Sequence, residues 1–126
     1  MYTVKSKIEI KVTEDDIADI LAIAFEGGIT YWCESVSCDN DESDYRYYSE
    51  IGAYTDTPLI ISVIDEVDTH QLTKDKLLNG IKLAYEAGCH VDYMWVKDGK
   101  IDVINVDSEV ADCILQFAIF EDIIYG

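Results

Sequence analysis

The chain has 126 residues, a 49% share of apolar residues and a formal net charge of −17 at pH 7. This length fits one domain with a real core, and the apolar share argues against intrinsic disorder. So negative a surface repels phosphate backbones and anionic membranes, which excludes nucleic acid and membrane as direct partners and favours basic proteins.

The N-terminal third begins with period-two alternation. Apolar residues alternate with mainly basic ones from Val4 to Val12, which predicts one amphipathic strand with a basic outer face. Thr13 and Asp16 resemble a capping pair. The pattern predicts a helix from there to about Glu26, ended by Gly27-Gly28.

The middle of the chain is the most polar part. Residues 29–36 are compatible with a strand or an irregular connection, and residues 37–56 are acidic and rich in tyrosine. We predict a long, exposed loop at about 37–56, because long loops in compact domains often carry function. A buried strand is expected at residues 59–64, after Thr57-Pro58.

The remaining residues predict regular elements. A helix from Lys74 to Ala87 follows a cap at Thr73, and residues 91–96 and 100–106 flank a Lys97-Asp98-Gly99 hairpin turn. A last helix runs from Asp107 or Ser108 to about Phe120. The predicted fold is one α+β domain, a mostly antiparallel sheet with about three helices packed on it.

The chain shows no sign of export and no catalytic signature. It begins without an apolar signal segment and contains no stretch long enough to span a membrane, so we expect a cytoplasmic protein. Four cysteines in a reducing compartment favour thiols or metal ligands over disulfides. Phosphate-binding, zinc-protease and nucleophile-elbow motifs are missing, so we do not expect an enzyme.

A zinc site is one interpretation of the cysteines. Cys33 and Cys38 have nearly the spacing of half a zinc knuckle, and Cys89-His90 is a candidate second half. In the alternative interpretation Cys33 is a core thiol, Cys38 is a loop thiol, and Cys89-His90 begins a strand. Cys113 lies in an apolar helical run and is expected in the core.

Charge and tyrosines suggest a contact surface. Residues 13–73 hold fifteen carboxylates and one cation, Arg46, which is surrounded by tyrosines. Tyrosine and arginine are common interface anchors. The alternative is that these tyrosines lie on a half-buried strand. The residues predicted to bind a partner are Glu14, Asp15, Asp39, Asp41, Glu42, Asp44, Tyr45, Arg46, Tyr47 and Tyr48.

Three segments resemble a family of small acidic proteins from phages and prophages of Gram-positive bacteria. They are Phe25–Cys33 after the first helix, Leu72–Leu83 in the middle helix and Asp107–Gly126 at the C-terminus. The middle loop differs from that family. Some small acidic phage proteins are anti-CRISPR proteins that inhibit Cas9 of type II-A systems, and one such group contains zinc.

The resemblance implies an acidic inhibitor acting in the host cytoplasm. It would dock on a basic, nucleic-acid-handling protein, with Cas9 as the favoured target, and block nucleic-acid loading by imitating phosphates. The alternative is a phage structural or accessory protein without catalytic activity, whose acidic surface keeps a small oligomer soluble. A metal-dependent enzyme is a third hypothesis.

Overall fold

A computed structural model describes residues 1–39, 44–89 and 94–126. Within these residues the fold is α+β, as predicted, with two mostly antiparallel sheets. In chain order the elements are β1 (Tyr2–Lys5), β2 (Glu9–Val12), α1 (Glu14–Ile23), β3 (Cys33–Ser37), α2 (Tyr48–Tyr54), β4 (Leu59–Val63), β5 (Thr69–Leu72), α3 (Lys74–Ala87), β6 (Val96–Lys97), β7 (Lys100–Ile101) and α4 (Ser108–Phe120).

The N-terminal alternation forms a hairpin, so the single strand predicted from Val4 to Val12 is wrong. β1 and β2 pair antiparallel with Val4 opposite Ile10. Folding back places Val4 beside Ile10 in the core and leaves Ile8, at the turn, 43% exposed. One continuous strand would not bring these two buried side chains together.

The first sheet has the order β1-β2-β7-β6, with β2 parallel to β7. Asp98 and Gly99 both have positive φ, 52° and 71°, as the predicted hairpin turn requires. Strand β7 is shorter than predicted, because residues 103–105 form a 3-10 helix. The outer face of this sheet carries the exposed lysines Lys5, Lys11, Lys97 and Lys100.

The second sheet has the order β3-β4-β5 and is antiparallel. Its central strand β4 buries Leu59, Ile61 and Val63, which confirms the predicted buried strand. Strand β5 was not predicted, because its sequence, THQL, buries only Leu72 and has no clear alternation of apolar residues.

Helix α1 begins as predicted, with a reciprocal cap. The Asp16 amide donates to Thr13 Oγ1 at 3.0 Å, and the Thr13 amide donates to Asp16 Oδ2 at 2.9 Å. Asp16 thus takes the role that glutamate usually has in a capping box. The helix continues into a π-helical turn at residues 24–28.

The predicted loop at residues 37–56 contains helix α2, which corrects that prediction. Ile51 and Ala53 are buried, and the Tyr47 amide donates to Glu50 Oε1 at 3.3 Å at the start of the helix. Two apolar anchors among tyrosines and carboxylates gave too weak a helical pattern to detect. Tertiary packing against α1 stabilises this short helix.

Helices α3 and α4 pack closely against each other in the core. A Cβ atom added at Gly80 would lie 2.5 Å from the Ile114 carbonyl oxygen and 2.8 Å from the Ala118 amide nitrogen. Helix α4 is buried along most of its length, and the buried rings of Trp32 and Trp95 belong to the same core. The core therefore lies around α4, and α2 lies at the surface on α1.

Candidate functional site: an acidic, tyrosine-rich face on α1 and α2

The structure places the predicted binding residues on two neighbouring helices and the segment before α2. Glu14 and Asp15 start α1, and Tyr48 starts α2. Asp39 and residues 44–47 are exposed. Asp41 and Glu42, also predicted to bind a partner, lie outside the described residues.

The two helices run antiparallel and are joined at one end by a hydrogen bond. Tyr54, the last residue of α2, donates its hydroxyl to Asp15 Oδ1 at 2.5 Å. That bond, with repulsion from Asp15, Asp19 and Glu50, raises the pKa of Tyr54 to about 12. A tyrosine donor thus lies within a cluster of carboxylates.

Asp19 shows how closely the carboxylates are crowded. Partial burial raises the pKa of its carboxyl group, and repulsion from Asp15 and Asp16 raises it further. Both causes penalise the charged form of Asp19, and a nearby cation would offset the repulsion.

The tyrosines of this region are exposed, so the half-buried strand considered as an alternative is wrong. Tyr45 and Tyr48 are each 41% exposed, Tyr47 is 57% exposed and Tyr54 is 37% exposed. The rings of Tyr45 and Tyr54 lie 5.5 Å apart, and Arg46 Cζ lies 5.6 Å from the centre of the Tyr47 ring. Grouped aromatic side chains in solvent are typical of contact surfaces.

We call this surface the α1–α2 face. Its members combine carboxylates with exposed aromatic rings and belong to α1, the π-helical turn after it, α2 and the residues just before α2. They are Asp15, Asp19, Glu26, Asp44, Tyr45, Tyr47, Tyr48, Glu50 and Tyr54.

Glu14 differs from its neighbours because it already has a counterion. Its Oε1 lies 2.8 Å from the N-terminal ammonium of Met1, and this interaction lowers the pKa of Glu14. A partner's cation would compete with that ammonium, so Glu14 offers less to a partner than Asp15 or Asp19.

A groove opens at the other end of the two helices. It has a volume of about 290 Å³ and lies between the end of α1, strand β3 and the start of α2. Phe25, Tyr47 and Tyr48 line it, together with the carboxylates of Glu26 and Glu34. Among the described residues that line it, none is lysine or arginine.

The predicted zinc ligands do not come together, and the prediction that Cys89 binds zinc is wrong. Cys89 forms a disulfide with Cys113, with Cα atoms 6.5 Å apart, so its sulfur is not a zinc ligand. The prediction that the cysteines are thiols or metal ligands is therefore wrong for Cys89 and Cys113. His90 lies outside the described residues.

Cys33 and Cys38 lie at opposite ends of β3. Cys33 and Cys38 are five residues apart, and the irregularity between Cys33 and Ser35 takes up about one of them. Their Cα atoms are therefore roughly 13 Å apart at about 3.3 Å per residue. Zn–S bonds of about 2.3 Å bring two cysteine Cα atoms within roughly 9 Å. Residues 1–39, 44–89 and 94–126 contain no group of three or more His, Cys, Asp or Glu side chains that could hold a metal ion.

Sequence reasoning missed a polar network centred on Asp112. Its carboxylate accepts hydrogen bonds from Trp32 Nε1 at 2.7 Å, Tyr31 OH at 2.5 Å and Gln116 Nε2 at 3.0 Å. Burial and the bond to Asp112 raise the pKa of Tyr31 to about 12. The signal was a glutamine within the apolar run of α4.

Gln116 also fastens the C-terminal segment. Its side chain is 1% exposed, and its Oε1 accepts from the amides of Ile124 at 2.8 Å and Tyr125 at 2.9 Å. The Tyr125 ring then stacks on Trp32, with ring centres 5.6 Å apart. These partners satisfy the hydrogen-bonding capacity of the Gln116 side chain. The network therefore has a structural role: it holds the C-terminal segment against the core.

Comparisons with known proteins found no match. No protein-family profile, curated protein sequence or solved structure matches it significantly. None of the helices in the described part of the chain is long and apolar enough to cross a membrane.

Proposed function

We propose that this protein is an acidic inhibitor that docks its α1–α2 face on a basic, nucleic-acid-handling protein and blocks nucleic-acid loading. Cas9 is the favoured target, in the cytoplasm of a bacterial host. The resemblance of three segments to small acidic phage proteins suggests this setting. The surface itself suggests the chemistry of the partner.

One observation carries the proposal: exposed tyrosines lie beside carboxylates that repel one another. Tyr54 donates to Asp15, and repulsion from Asp15 and Asp16 adds to the raised pKa of Asp19. A basic cleft built for phosphates offers lysine and arginine at high density, and these cations relieve the repulsion. The tyrosines add contact area at low entropic cost.

The test compares two variants of equal net charge. The first replaces Asp19, Glu26 and Asp44 of the α1–α2 face by lysine. The control variant replaces three exposed carboxylates at the ends of α3 and α4 by lysine; they are Glu86, Glu121 and Asp122. Binding to immobilised type II-A Cas9, without guide RNA, is measured by biolayer interferometry, with circular dichroism as the check on folding.

We expect the face variant to lose binding by at least tenfold and the control variant to keep it. We also expect the affinity of the wild-type protein to fall between about 50 mM and 200 mM salt, because paired charges are screened. Equal effects of the two variants, or binding indifferent to salt, would contradict docking by charge. Absence of binding to Cas9 would remove that target.

The structural or accessory role uses the same exposed tyrosines in a different way. Under that hypothesis they pair copies of the chain, although each copy carries a charge of −17. Analytical ultracentrifugation separates the two proposals. A stable oligomer that Tyr47→Ser and Tyr48→Ser together dissociate would favour the accessory role, whereas a monomer favours the inhibitor.

A further inference from the structure

We propose that the groove between α1, β3 and α2 is a subsite for an arginine side chain of the partner. This inference rests on the proposed function, because it names the group that the acidic surface recognises. It concerns the groove alone, at the end of the helices that is distant from the Tyr54–Asp15 bond.

The walls of the groove are aromatic and accessible. Phe25 lies in the π-helical turn after α1, and Tyr47 and Tyr48 stand at the start of α2. Tyr47 is 57% exposed and Tyr48 is 41% exposed, so both rings are open to a partner. A flat, weakly hydrated guanidinium stacks on such rings more readily than a compact, strongly hydrated ammonium does.

The charge of the groove favours the same occupant. Glu26 and Glu34, both exposed, belong to its lining, and no cation in the described lining offsets their charge. A guanidinium presents five N–H donors in a planar fork, which suits a carboxylate better than a single ammonium group. The combination of aromatic walls and carboxylates therefore selects arginine over lysine.

The described residues include an example of this interaction. Arg46 Cζ lies 5.6 Å from the centre of the Tyr47 ring, within the range of a cation–π contact. Arg46 itself is not part of the groove lining. Because Arg46 already contacts this ring, a partner's arginine would use the part of Tyr47 that lines the groove.

The experiment compares two peptides that differ in the cation alone, nonaarginine and nonalysine. Their affinities for the full chain are measured by isothermal titration calorimetry at physiological salt. We expect nonaarginine to bind on the order of tenfold more tightly, because stacking and bidentate pairing add to the shared charge attraction. Replacing Tyr47 and Tyr48 by serine should remove this preference, while Tyr45→Ser, which lies outside the groove, should keep it.

Cys33 gives a second readout that needs no substitution. Cys33 belongs to the groove lining, whereas Cys38 does not. Burial raises the pKa of the Cys33 thiol, so alkylation by iodoacetamide is followed at mildly alkaline pH. Nonaarginine should slow alkylation of Cys33 and leave the rate at Cys38 unchanged, as read by mass spectrometry of peptides.

The outcomes separate the subsite from the proposed function. Equal affinity for the two peptides, with Cys33 unprotected, would overturn the arginine subsite and leave charge-driven docking in place. Failure of both peptides to bind would overturn docking on a basic partner as well. Protection of Cys33 by both peptides equally would show a groove that recognises charge alone, which also overturns the proposal.

Discussion

The contact between α3 and α4 predicts that Gly80→Ala destabilises the protein, although alanine favours helices. The new Cβ atom would lie 2.5 Å from the Ile114 carbonyl oxygen. Ordinary contacts are longer by almost 1 Å, and the atoms in the way are helix backbone that does not rotate aside. Overpacking of this kind costs about 3 kcal/mol, and the better helix propensity offsets about 1 kcal/mol. The net loss is about 2 kcal/mol.

Thermal unfolding followed by circular dichroism measures this loss. A change of 1 kcal/mol shifts the Tm of a chain of this size by about 4 °C, so we expect a drop of about 8 °C. The matched control is Gly27→Ala, because nothing lies within 4 Å of a Cβ atom there. That variant should be as stable as the wild-type protein or slightly more stable. A Gly80→Ala protein that melts as high as Gly27→Ala would show that the two helices are not in close contact.

Three further predictions test other contacts. The pKa of Tyr54 is raised from 10.0 to about 12. The contribution of Tyr54 to stability is therefore complete below pH 10 and is lost as the pH rises towards 12. Absorbance titration at alkaline pH should show that Asp15→Asn lowers the pKa of Tyr54. Gln116→Ala removes the acceptor for two C-terminal amides, and hydrogen exchange should become faster at residues 121–126 while α3 stays protected. The cysteines of the Cys89–Cys113 disulfide are 24 residues apart. Reducing this bond should lower the free energy of unfolding by about 3 kcal/mol, as measured by urea titration with and without reductant. Unchanged stability would mean that the bond does not restrict the unfolded chain.

Short sequence signals, such as caps, turns and apolar periodicity, predicted several helices and the second hairpin correctly. The Thr13–Asp16 cap, the Asp98-Gly99 turn and the periodic apolar residues of α3 each act over a few residues. Helix α2 and strand β5 have no such signal, because each depends on a neighbouring element for its stability. The β1–β2 hairpin was also missed, because alternation of apolar residues does not specify where a strand turns back to pair with itself.

The candidate site was predictable in composition and not in geometry. Charge counting located an acidic region rich in tyrosine, and the tyrosine side chains of that region are exposed. The bond between Tyr54 and Asp15 joins residues 39 apart, and the pairing of Cys89 with Cys113 spans 24 residues. Contacts at such separations are set by how the helices pack, which no short motif encodes.

The lysines on the outer face of the first sheet have a consequence for encounter kinetics. Lys5, Lys11, Lys97 and Lys100 gather there, while carboxylates crowd on α1 and α2. The lysines and these carboxylates therefore gather on different surfaces of the molecule. Under the proposed function, a cationic partner would attract the helices and repel the lysine-bearing face, so the molecule would turn its helices forward before contact.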